Sequence, residues 1–235
     1  MKRTKIVWLI MFFLLLSFSI TFSQAINQLS QAEKKQEWRL LFDGKTSKGW
    51  MSNNESKTFP DSGWIIKDGT LTIIADQRGG DIVTTEQFSN FELSLEFKLT
   101  PGANSGIKYF IQPTKSIGCE YQILDDELHP DAKQGVNGNR TLASLYDLIP
   151  AENRPLKPIG EWNQARIIVN GSHVEHWLNG TKVIEYDRFS PCFRQLILFS
   201  KFKNRPNFGQ FKKGHILFQD HGDTVSYRSI KIRNL

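Results

Sequence analysis

The stretch from 166 to 186 constrains the fold more than any other. Three short runs, 166–169, 173–178 and 182–186, are joined by Asn170-Gly171 and Asn179-Gly180. Asn-Gly favours the type I′ turn, whose backbone twist matches that of the strands it joins. The segment therefore predicts three consecutive antiparallel strands in a meander. Both dipeptides also open glycosylation sequons, closed by Ser172 and Thr181, but the turns account for them without a glycan. A second block repeats the signal: from Phe91 to Leu99 every odd position is apolar and every even one polar, the period of a strand with one buried and one wet face. Shorter strand signals fall at 64–66, 70–74, 107–111, 120–124, 214–219 and 226–232. Many short strands separated by Gly, Pro, Asn and Asp, with no sustained helical period, predict an all-β sandwich or barrel. With 235 residues the chain suits one core rather than two. Region 125–158 shows no alternation and is too long for an ordinary connection, so functional loops beside the sheet are expected there.

The first residues say where the protein goes. Lys2, Arg3 and Lys5 precede an apolar run from 6 to 22 broken only by Ser17, Ser19 and Thr21. A run of that length nearly suffices to span a bilayer. Thr21 and Ser23, spaced like the small residues before a signal peptidase cut, favour a signal peptide over 1–23 instead. Residues 24–37 then read as a polar spacer and 38–235 as the domain. No cysteine follows the signal for lipid attachment, so a periplasmic or secreted protein, soluble and free of the membrane after cleavage, is expected. The formal charge of +6 falls to +3 once Lys2, Arg3 and Lys5 leave. That is too mild, and too evenly interspersed with acids, for a nucleic-acid partner. Cys119 and Cys192 fit either a bridge or two small buried hydrophobes. No residue spacing matches a zinc site.

Several motifs occur in order along the domain: Leu41-Phe42-Asp43-Gly44-Lys45, Gly49-Trp50, Trp64 with Asp68-Gly69 and Leu71, and Gly80-Asp81-Ile82-Val83-Thr84. Asn104-Ser105-Gly106-Ile107 and Glu120-Tyr121-Gln122-Ile123-Leu124-Asp125 follow, then Gly160-Glu161-Trp162-Asn163 and His176-Trp177-Leu178-Asn179-Gly180. The chain closes on Gly214-His215-Ile216-Leu217-Phe218-Gln219-Asp220-His221-Gly222 and Tyr227-Arg228-Ser229-Ile230-Lys231-Ile232. Together they resemble the 3-keto-disaccharide hydrolase domain family over 38–235. The resemblance implies a concanavalin A-like jelly roll, a β-sandwich of two antiparallel sheets in one domain. It also implies cleavage of a glycosidic bond in a 3-keto-glucoside or 3-keto-disaccharide. Leu142-Ala143-Ser144-Leu145-Tyr146 departs from the family pattern by lacking a glycine, which bears on the shape of that loop.

A C3 ketone acidifies the hydrogen on C2, so the C1 substituent can leave by elimination, after which water adds back. Such a route needs a base near C2, an electrophile on the carbonyl oxygen and an acid for the leaving oxygen. Strand parity places Glu120 and Gln122 on one face, and Gln219 and His221 on one face if that strand runs far enough. Glu120 is the expected base or metal-binding carboxylate, His221 the proton carrier, and Lys201 the partner of the carbonyl oxygen or a hydroxyl. Gln122 and Gln219 are expected to bind sugar hydroxyls, with Asp125, Lys108 and Tyr146 at the edges of the substrate site. Two bland readings stand beside these: Glu120 as a satisfied ion pair, and 220–223 as a simple turn. Asp81 and Arg78 read as a loop salt link, and His176 as a position on the sheet surface. Trp50, Trp64, Trp162 and Trp177 are left unassigned to substrate. No metal ligand is assigned, although the oxygen-rich run from Asp125 to Asp131 would suit a divalent cation. No dinucleotide fingerprint occurs, so a separate sugar 3-oxidoreductase must install the ketone. The alternatives are a non-catalytic, lectin-like carbohydrate-binding sandwich, and an ordinary glycosidase with two opposed carboxylates, of which no paired motif is present.

Overall fold

A computed structural model describes residues 25–54 and 56–235; the expected signal peptide, 1–23, lies outside the described residues. Thirteen strands follow one another: β1 Arg39–Leu40, β2 Trp50–Ser52, β3 Trp64–Lys67, β4 Thr70–Ile73, β5 Ile82–Thr84, β6 Phe91–Leu99, β7 Asn104–Ile111, β8 Cys119–Leu124, β9 Asn163–Asn170, β10 His173–Leu178, β11 Thr181–Asp187, β12 His215–Phe218 and β13 Val225–Asn234. They form two antiparallel sheets. The larger runs β11-β10-β9-β6-β13-β4-β3, with β1 also on β13, and the smaller runs β2-β5-β12-β7-β8. This is the two-sheet jelly-roll sandwich, and one apolar core fills it, built on Phe91, Phe97, Tyr109, Tyr121, Phe218 and Tyr227. Among the described residues no helix is long and apolar enough to cross a membrane.

The meander forms as β9, β10 and β11. Asn179 and Gly180 both take positive φ, +48° and +82°, as a type I′ turn requires. The first turn differs: Asn170 pairs with His173, so Gly171 and Ser172 are the central residues and only Gly171 is left-handed. That is the type II′ pattern, with glycine at the first central position. In β6 the odd positions enter the core as the alternation requires. The even face is drier than expected, because Glu92 is buried beneath ion pairs to Arg166 and Arg233.

His176 is not on the sheet surface. It shares a parity with Val174 and Leu178, points inward, and is fully buried. Its hydrogen bonds to Tyr109 and to the Ala143 carbonyl make a buried imidazole tolerable. Asp81 and Arg78 do not form a salt link: Asp81 accepts from the Asp220 main chain, and Arg78 packs against Gly222. Cys119 is buried and Cys192 exposed, and both are free thiols, so the bridge does not form. Cys192 sits in a helix that the sequence did not announce, α2, Pro191–Leu198, whose Ser190 side chain caps Phe193 N at 3.1 Å. Before β1, a one-turn helix, α1 (Gln31–Lys35), and Asn27 lie against the domain, with Asn27 Nδ2 donating to Gly69 O at 2.8 Å and Asn27 Oδ1 accepting from Ser229 N at 2.8 Å.

Candidate active site

The site grows from β7 and β8. Gly106 stands opposite Gln122 and Lys108 opposite Glu120, and directly opposed residues share a sheet face. Lys108, Glu120 and Gln122 therefore project outward, while Cys119, Tyr121 and Ile123 enter the core. Gly106 is what gives the Glu120 carboxylate its place: a Cβ there would lie 2.2 Å from Glu120 Oε1. Gln219, just past the end of β12, is held by its main-chain N on Gly106 O at 3.0 Å.

These side chains bond to one another. With each amide turned so that nitrogen meets oxygen, Gln122 Nε2 donates to Glu120 Oε1 at 3.2 Å and Gln219 Nε2 donates to the same oxygen at 3.0 Å. Gln219 Oε1 accepts from Lys108 Nζ at 2.8 Å, and the same amide lies 3.0 Å from His221 Nε2. Lys108 Nζ also donates to Ser116 O at 3.1 Å and sits 3.6 Å from Glu120 Oε2. Glu120 is thus both the paired carboxylate of the bland reading and the floor of a cleft of about 590 Å³. The 220–223 segment is likewise both a turn, with Gly222 N on Asp220 Oδ1 at 2.7 Å, and the bearer of His221 in the cleft wall.

Region 125–158 supplies the other wall by pairing with the free edge of β8. Gln122 N donates to Ser144 O, Ala143 N to Gln122 O and Tyr146 N to Glu120 O, at 3.0, 2.8 and 3.0 Å. Tyr146 is thereby set beside Glu120, and Lys201 Nζ lies 4.0 Å from the centre of its ring. Asp147 accepts from Lys201 N and from Arg140 Nε, each at 2.7 Å, and Arg140 reaches Asp131 at 2.9 Å. Ala143 takes a left-handed φ of +67°, so the loop keeps its turn without the glycine.

Burial raises the Glu120 carboxyl above its ordinary value, with Lys108 and then Lys201 pulling it back. Partial burial lowers Lys201, opposed by Glu120, and partial burial with the nearby Lys108 ammonium lowers His221. The Tyr146 phenol is pushed up by burial and by its hydrogen bond to Asp131. All four groups are moved toward their uncharged forms.

The structure brings Glu120, Gln122, Lys108, Gln219, His221, Lys201 and Tyr146 to one cleft. Asp125 does not line it. Its carboxylate accepts from Gly102 N, Glu127 N and Leu128 N at 2.8, 2.9 and 3.2 Å. Those donors outweigh its burial and hold it below the usual carboxylate range, so it shapes the loop rather than the substrate site. The neighbouring acids are also engaged, Asp126 with Arg154 and Asp131 with Arg140. Among the described residues, only His173, Glu175 and Glu185 bring three ligand atoms together, on the far sheet, where Lys182 already pairs both glutamates. Asn104, His129, Asp131, Gln134, Arg205 and Asp223 also line the cleft. Asn104 belongs to the Asn104-Ser105-Gly106-Ile107 motif, Asp223 to the 220–223 segment that read as a turn, and His129 and Asp131 lie in the oxygen-rich run, whereas Gln134 and Arg205 were not singled out. None of the four singled-out tryptophans lines the cleft.

A two-sheet sandwich with an acid, an imidazole and amide groups converging in one outer-face cleft defines a glycosyl hydrolase-like protein. The chain belongs to the family described as the 3-keto-alpha-glucoside-1,2-lyase-like domain, whose profile matches residues 37–233. A 3-keto-disaccharide hydrolase of Bacteroides thetaiotaomicron is 37% identical over 226 residues, covering 83% of this chain and 77% of that protein. A crystal structure from Parabacteroides distasonis, provisionally described as a glycosyl hydrolase, superposes with a TM-score of 0.81 at 30% identity, covering 90% of this chain and 100% of the other. A second from the same organism, with the same description, gives 0.65 at 29% identity, over 84% and 99%.

Proposed function

We propose that this glycoside hydrolase acts on 3-keto-glucosides or 3-keto-disaccharides by elimination and hydration. The observation that carries the reading is the Glu120 carboxylate, desolvated at the cleft floor, fixed by two amides, and set among Lys108, Lys201 and His221. Glu120 takes the C2 proton. The electron pair moves onto the C3 carbonyl oxygen as an enolate, which the Lys201 ammonium faces. As that enolate collapses, the C3 carbonyl re-forms, C1–C2 becomes a double bond, the C1–O bond breaks and the departing oxygen takes a proton from the imidazolium form of His221, leaving the ring neutral. Water then adds to C1 and a proton returns to C2, so one water is consumed and the ketone is conserved. Elimination alone would be a lyase reaction and the two steps together a hydrolase reaction, which reconciles the family's description with the name of the B. thetaiotaomicron relative. Gln122, Gln219 and Tyr146 would hold the ring hydroxyls. A separate sugar 3-oxidoreductase has to supply the substrate, and the mature protein would act in the periplasm or outside the cell after signal cleavage.

The test is turnover of a 3-keto-glucoside and of its unoxidised parent by the mature protein, with and without a chelator, beside Glu120→Gln. Turnover of the keto sugar alone, reduced about a thousandfold in the variant, is the expected result. Equal turnover of the unoxidised parent, or an unaffected variant, would overturn the elimination reading. Sugar binding with no turnover of either would make the protein a carbohydrate-binding sandwich.

A further inference from the structure

The cleft is electrically uneven along its length. β7 and β8 run from Asn104 and Leu124 at one end to Tyr109 and Cys119 at the other, where the 112–118 turn joins them. At the first end stands Asp223, accepting from Asn104 N at 3.0 Å. Ser116 and Ile117 stand at the turn end, and the chain after α2 adds Lys201, Phe202 and Arg205 to the lining.

Three of the six acidic and basic side chains lining the cleft are in ion pairs, Lys108 with Glu120 and Asp131 with Arg140, while Lys201 lies over the Tyr146 ring and Asp223 accepts from Asn104 N. Arg205 stands apart. Among the described residues its guanidinium has no carboxylate, carbonyl or ring partner, whereas every other described arginine except Arg78 has one. Nor is Arg205 on a loose segment. Its main-chain N donates to Phe202 O at 2.8 Å, Phe202 stacks on Phe208 with centroids 4.2 Å apart, and Lys201 N is fixed to Asp147. A held turn thus presents a planar group of five N–H donors, none engaged, to a cleft large enough for more than a single sugar ring. Guanidinium in such a setting matches the oxygen pairs of carboxylate, sulfate or phosphate.

We propose that Arg205 forms a subsite for an anionic group carried on the part of the glycoside that departs from C1. This rests on the proposed seating of the keto ring over Glu120, with the departing half lying along the wall that carries Arg205. Specificity for acidic over neutral leaving groups then resides in Arg205 and not in the residues that perform the reaction.

The experiment compares phenyl and 4-carboxyphenyl 3-keto-glucosides with the mature native protein and Arg205→Gln. The expected result is that the substitution lowers kcat/KM about tenfold for the carboxylate substrate and less than twofold for the neutral one. Taking native-to-variant ratios cancels the different leaving abilities of the two phenols. The loss should shrink as salt is raised. Equal losses on both substrates, or none on either, would overturn the subsite. If neither substrate turns over, the reaction itself has failed, and calorimetric binding of the two unoxidised glucosides decides the subsite alone. Tighter binding of the carboxylate compound by native protein than by Arg205→Gln supports it, and no difference overturns it.

Discussion

The two faces of β8 carry two polar networks, one residue out of step with each other. Inward, His176 Nδ1 donates to Ala143 O at 3.1 Å, which leaves Nε2 to accept from Tyr109 OH at 2.9 Å, and Tyr109 accepts in turn from Tyr186 OH at 2.7 Å. Outward, Lys108, Gln122 and Gln219 converge on Glu120. The inner network is closed: protein answers every polar atom, and burial drives its members to their neutral forms. Cys119 is raised to about 12, His176 is lowered to about 4, and Tyr109 and Tyr186 are raised well beyond a phenol's ordinary value. The outer network has one open side, so its groups are perturbed while a ligand can still reach them. Polar composition does not separate a structural network from a reactive one; closure does.

Four substitutions and a pH profile would break or sharpen that contrast. The largest effect is expected outside, where Glu120→Gln should lower kcat/KM about a thousandfold while the melting temperature barely moves. Gly106→Ala should follow at about a hundredfold, because the new methyl group takes the space of the Glu120 carboxylate. Combined with Glu120→Gln it should add little, since both act on one group. Inside, the pattern should invert. His176→Phe should cost about 2–3 kcal/mol in urea unfolding and leave the folded protein's kcat/KM within about threefold.

Acid separates the faces as well, by the property it lowers: stability inside and turnover outside. His176 has a folded pKa below its unfolded one, so its stabilising share is present above about 6.5 and is lost as pH falls toward about 4. The stability gap between native protein and His176→Phe should therefore narrow on acidification. In the cleft, kcat/KM should fall as pH drops through a Glu120 value above the ordinary 4.5, because the base must be ionised. An acid limb at or below 4.5 in the pH–rate profile would show that Glu120 is not the base. The smallest effect is expected at Ala143→Gly, where relief of the left-handed φ should stabilise by up to about 1 kcal/mol, read by the same unfolding assay.

Much of this was legible in the sequence, because a strand's period of two converts spacing into facing. The Asn-Gly turns announced the meander, and the spacing of Glu120 and Gln122 put both on one face. Gln219 and His221 reached the cleft although β12 stops at Phe218, so their placement owes more to the Gly106 anchor and the following turn than to strand parity. His176 could have been read inward from Val174 and Leu178, and its polarity obscured the pattern. Asp125 was beyond sequence reasoning, since three main-chain N–H groups claim its carboxylate only once the loop has closed. The fitting of 142–146 onto the edge of β8 is a distant pairing that no local pattern encodes, and α2 is too short for its period to show.

The one-residue offset between the two networks has a consequence for how such a chain can vary in length. Within 119–124 a single inserted or deleted residue would trade the faces, sending carboxylate and amide into the core and phenol and thiol into the cleft. No repacking of neighbours compensates for that. The 112–118 turn lies under no such rule, since residues gained there leave the order of β8 unchanged. Change in substrate range is therefore open to the turn by lengthening, and open to β8 only by substitution.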